Sequence, residues 1–66
     1  MTIVVNGTAR ELATAATVTA VLTLLEAPET GCAVAVNAVV VPRAEWPQHI
    51  LHDGDLIDVL TAVPGG

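Results

Sequence analysis

One stretch of this chain, residues 18–25, carries a helical repeat, and that single stripe dictates a two-layer fold. Val18, Val21, Leu22 and Leu25 fall at i, i+3, i+4 and i+7, one face of a helix. Thr17 precedes them as a plausible N-cap. Pro28 limits how far the helix continues, so the spacing predicts a helix over residues 18–26. Its β-branched Val18, Thr19, Val21 and Thr23 make it a poor helix in isolation. It needs a sheet to pack against. The rest of the chain supplies one as short β-branched runs broken by turn residues.

Thr2-Ile3-Val4-Val5 runs into Asn6-Gly7, the strongest two-residue hairpin signal, because a type I′ turn requires positive φ at both central positions. Residues 8–12 should return antiparallel. Residues 32–36 read as a strand with Val34 and Val36 on one face and Ala33 and Ala35 on the other. Asn37-Ala38 turns the chain into a brief strand, Val39-Val40-Val41, which Pro42 halts. Pro42 to Trp46 suits a single helical turn. The Trp46 ring is expected to close one end of the core, with its N–H aimed at a carbonyl or water. Asp53-Gly54-Asp55 then launches the last strand. In residues 56–63, Ile57, Val59 and Thr61 share one face and Leu56, Asp58 and Leu60 the other. A carboxylate cannot line the core, so Leu56 and Leu60 are expected on the solvent side with Asp58. The fold class is therefore α+β, with a mixed sheet of four or five strands on one helix.

A chain of 66 residues has room for one domain and little stability in reserve. Its 53% hydrophobic content rests on eleven alanines and eleven valines, small pieces that leave no room for an internal substrate cavity. The net charge is −5, with Arg10 and Arg43 the only basic side chains besides the two histidines. That argues against nucleic acid and anionic membranes as partners. Acidic residues cluster late, at Glu45, Asp53, Asp55 and Asp58, where they form a solvated face or meet a basic partner. A single cysteine and no signal-like apolar segment point to a cytoplasmic protein.

Candidate chemistry is sparse. There is no Gly-rich phosphate loop, HExxH or Cys-x-x-Cys. His49, His52, Asp53 and Asp55 could ligate a metal, but their spacing fits no metal motif and reads as a solvated turn. Cys32 lies in an apolar strand with no basic neighbour in sequence and reads as a buried, unreactive thiol. The chain is thus not expected to be an enzyme, and no metal or bound cofactor is expected.

What remains is the end, Pro64-Gly65-Gly66. A terminal carboxylate is an anion at neutral pH and a poor electrophile until an adenylate supplies a leaving group. Two glycines, lacking Cβ atoms, can thread a narrow channel and leave the carbonyl open to attack. Pro64 holds Val63 extended, and from Pro64 three residues reach at most about 10 Å. The expected organisation is a domain over residues 1–63 and a reactive tail over residues 64–66.

The order of elements and the Gly-Gly end resemble the ubiquitin-like β-grasp proteins. Val34-Ala35-Val36-Asn37, Val41-Pro42-Arg43 followed by Trp46, then His49, Asp53-Gly54-Asp55 and Gly65-Gly66 are similar to the ThiS-type sulfur carriers of thiamine biosynthesis. The likeness spans nearly the whole chain; Pro64 stands where alanine or a similar small residue is expected. The resemblance implies that an E1-like adenylyltransferase uses ATP to adenylate the Gly66 carboxylate. Sulfur from a persulfide donor, such as a cysteine desulfurase, then makes a C-terminal thiocarboxylate that thiazole synthase consumes. On this reading Pro64, Gly65 and Gly66 thread the partner's active site, while Leu56, Leu60 and Val63 form the docking face. The same tail also suits a carrier for molybdopterin or tRNA thiolation, or a ubiquitin-like modifier of target lysines. Molybdopterin synthase small subunits tend to be longer and richer in phenylalanine, which this chain lacks.

Overall fold

A computed structural model describes residues 1–28 and 30–61. The elements run β1 (Thr2–Val5), β2 (Thr8–Glu11), α1 (Val18–Leu24), β3 (Cys32–Val36), β4 (Val39–Val41), a 3-10 turn (Arg43–Glu45) and β5 (Leu56–Thr61). The five strands form one mixed sheet in the order β2-β1-β5-β3-β4. The last strand in sequence is therefore the central strand in space. It lies parallel to β1, with Val4 opposite Leu56, and antiparallel to β3, with Val34 opposite Val59.

The first turn and the start of the helix have local causes. Asn6 and Gly7 both take positive φ, 49° and 81°, as the predicted type I′ turn requires. The Thr17 hydroxyl caps α1 by accepting from the Ala20 N–H. The helix ends at Leu24, two residues earlier than the periodicity predicts. Glu26 adopts a left-handed φ of 54°, which lets the Ala27 N–H reach back to the Leu22 carbonyl and the Glu26 N–H to that of Thr23. That pair of bonds is the Schellman ending. It usually employs glycine, so the sequence carries no signal for it here.

The predicted stripe is the buried face. Val18, Val21 and Leu22 are buried and Leu25 is partly so, packed on Ile3, Val34 and Ile57 of the sheet. Fully burying such side chains contributes about 1.5–3 kcal/mol each. Leu51 is also buried, seated where residues 49–51 run back alongside residues 16–18. The Trp46 ring covers one end of this core and its Nε1–H donates to the Val41 carbonyl at 2.9 Å. Among the described residues the single α-helix, of seven residues, is too short to cross a membrane.

Candidate functional site

The candidate site is built around β5. Its inner residues, Ile57 and Val59, sit under α1 at 1% and 7% exposure. Its outer residues alternate with them as the strand pleat demands, leaving Leu56 54% and Leu60 71% exposed with Asp58 between. The parity predicted for this strand is the observed one. The register then shows what surrounds it. Ala33 lies opposite Leu60, Ala35 opposite both Asp58 and Val40, and Val4 opposite Leu56. The two alanines are short, so Leu56, Leu60 and the 70% exposed Val40 stand above a flat floor. Contiguous exposed apolar surface of this kind marks interaction sites. Nothing in the uniform run Val39-Val40-Val41 marks Val40 as part of this face; its place there depends on its neighbours in the sheet.

Two asparagines hold β5 from either flank. Beyond the last β1 rung, the Asn6 side chain continues the ladder: its Oδ1 accepts from the Val59 N–H at 2.8 Å and its Nδ2 donates to the Val59 carbonyl at 3.1 Å. On the other flank, Asn37 Oδ1 accepts from the Leu56 N–H at 3.0 Å, and Asn37 Nδ2 donates to Asp55 Oδ1 at 3.1 Å. The sequence marks both residues as turn formers but carries no sign of these bonds to β5.

The polar turn that precedes β5 has structural work for its carboxylates. Asp53 Oδ1 accepts from the Thr2 N–H at 2.7 Å, tying the turn to β1. Asp55 Oδ2 accepts from the His52 N–H at 2.8 Å. Partial burial pushes the Asp55 carboxyl up, but the His52 N–H, the Asn37 amide and the rings of His52 and His49 outweigh it. The carboxyl is held below its ordinary value. His52 Nδ1 lies 4.0 Å from Asp55 Oδ2, and among the described residues no three metal-ligating side chains converge.

Cys32 is half-buried rather than buried, because it opens β3 at the sheet's end opposite Thr61. Its thiol donates to the Pro28 carbonyl at 3.0 Å. An open groove of about 560 Å³ lies on the helix side, between α1 and the 3-10 turn, lined by Leu22, Glu26, Arg43 and Trp46 among others. It is a surface feature, on the face away from Leu56 and Leu60. The proposed tail residues Pro64, Gly65 and Gly66, and the docking residue Val63, lie outside the described residues.

Residues 3–66 match the ThiS family. The chain belongs to that family. It is 39% identical over 66 residues to the sulfur carrier protein ThiS of Escherichia coli (strain K12), covering all of both chains. Two solved structures from Geobacter metallireducens have the same fold. The crystal structure of thiamine biosynthesis protein ThiS matches with a TM-score of 0.82 at 28% identity, over the full length of both chains. The solution structure of a thiamine biosynthesis protein matches at 0.81 and 29% identity, with all of this chain and 88% of that one covered. The ubiquitin-like β-grasp expected from the order of elements is thus the fold of ThiS structures.

Proposed function

We propose that this chain is a sulfur carrier of thiamine biosynthesis that works through the carboxylate of Gly66. Residues 1–63 serve as the docking domain and residues 64–66 as the reactive tail. The observation that carries the reading is the full-length likeness to the E. coli sulfur carrier ThiS, in a chain that ends in Gly65-Gly66 just after its central strand. Five residues follow Thr61, so the terminal carboxylate can stand at most about 17 Å beyond the sheet. That reach lets an enzyme hold the domain on its surface while the end enters its active site.

The chemistry follows from what a carboxylate lacks. An E1-like adenylyltransferase would bring ATP, the Gly66 carboxylate oxygen would attack its α-phosphorus, and pyrophosphate would leave. The terminal sulfur of a donor persulfide would then attack the acyl carbon and expel AMP. A thiol cleaving the resulting disulfide would release the thiocarboxylate. Thiazole synthase would take that sulfur into the thiazole ring. The carrier contributes no catalytic side chain and binds no cofactor; its glycines keep the carbonyl uncrowded.

Intact-mass measurement after incubation with ATP, a persulfide donor and the adenylyltransferase tests the proposal. The expected result is the mass gain of replacing one oxygen by sulfur, absent when Gly66 is deleted. A truncated chain that still gains sulfur would sink the reading. Conjugates to other proteins would support the modifier reading in its place, and transfer to an acceptor other than thiazole synthase would reassign the pathway.

A further inference from the structure

The outer face of β5 holds a charge with no ion-pair partner among the described residues. Asp58 is exposed between Leu56 and Leu60 and opposite Ala35, and no ion pair among the described residues includes it. Both arginines are elsewhere. Arg10 lies on β2 opposite Ile3, so it shares the helix-side face, and Arg43 opens the 3-10 turn after β4. In the free protein this arrangement costs nothing, because water solvates the carboxylate. It becomes decisive when the face is covered.

Covering Leu56 and Leu60 is favourable because it removes apolar surface from water. Desolvating an unpaired carboxylate is unfavourable by enough to cancel that gain. A purely apolar partner surface is therefore a poor match for this face. A surface that sets a cation opposite Asp58 and apolar groups around it recovers both contributions, and a guanidinium does this best because it pairs with a carboxylate bidentately. Resting on the carrier reading above, we infer that Asp58 is a specificity-determining residue. It selects an adenylating enzyme whose docking surface presents an arginine within an apolar ring.

Carrier-dependent adenylation kinetics test this, using the full chain, Asp58→Asn, Asp58→Lys and, as a remote charge control, Glu45→Gln. Asp58→Asn should raise KM about tenfold with kcat retained, as loss of an interfacial charge pair does, and Asp58→Lys should raise it further. The KM of the full chain should rise with salt, and that dependence should flatten in Asp58→Asn. Thermal unfolding of the variants should match the parent, because position 58 is exposed. A KM for Asp58→Asn within about twofold of the parent would overturn the inference, as would tighter binding of Asp58→Lys or an equal effect from Glu45→Gln. Those results leave the carrier reading standing, whereas a parent chain that is never adenylated removes both.

Discussion

Replacing Asn6 by alanine should destabilise the domain far more than an exposed turn position suggests. The Asn6 side chain makes two bonds to the backbone of Val59, at 2.8 Å and 3.1 Å, where β1 has already turned away. Each such bond contributes about 1 kcal/mol net. Alanine must also hold the left-handed φ of 49°, at about 1 kcal/mol. Together these make about 3 kcal/mol, against a total stability of roughly 3–10 kcal/mol for a domain of this size. The melting temperature should fall by about 12–24 °C. Asn6→Gly separates the two contributions, since glycine accepts the φ and loses only the bonds, so it should cost about 2 kcal/mol. Urea unfolding of the three proteins, with unchanged m-values, gives the comparison. Amide exchange at Val59 should quicken in both variants. A loss below about 0.5 kcal/mol for Asn6→Ala would refute the reasoning, because it would mean water replaces the side chain at no cost.

Acid should expose the role of Asp55. Its carboxyl is depressed in the folded state, so its contribution is fully present above the unfolded value of about 3.9 and is lost as pH falls through the folded value. Urea midpoints measured from neutral pH downward should show a steeper acid decline for the parent than for Asp55→Asn; parallel curves would refute this. Leu60→Asp should leave unfolding within about 1 kcal/mol, because the side chain is 71% exposed, yet weaken adenylation through KM. A collapse of stability in Leu60→Asp would contradict the observed strand faces.

Local chemistry made some features legible and non-local pairing hid others. Asn6-Gly7, the Thr17 cap and the 18–25 stripe each announce themselves within a few residues. So does the Trp46 N–H, which needs a partner once its ring is buried. The place of β5 does not: its parallel pairing joins the two ends of the chain, and no short window records that Val4 and Leu56 are neighbours. The second roles of Asn6 and Asn37 depend on that pairing and stayed hidden with it. Leu51, buried as deeply as Ile57, lies in no periodic run, and its lodging against residues 16–18 is also non-local. Ala38 shows the opposite conflict. It takes a φ of 69° where glycine would be easier, so the second turn is held by its strands more than by its sequence.

The candidate site was half visible for the same reason. Strand parity assigns Leu56 and Leu60 to the outside, but the floor of Ala33 and Ala35 and the neighbouring Val40 emerge only with the sheet order. That order also explains why two asparagines grip one strand. In β5 the core and the candidate docking surface alternate residue by residue, so a slip of one position would exchange Ile57 and Val59 for Leu56, Asp58 and Leu60. The exchange would drive a carboxylate under α1 and expose the core. Asn6 fixes the register at Val59 and Asn37 fixes it at Leu56, bracketing the alternating segment from opposite edges. The bonds that stabilise the fold are thus the bonds that decide which residues a partner can meet.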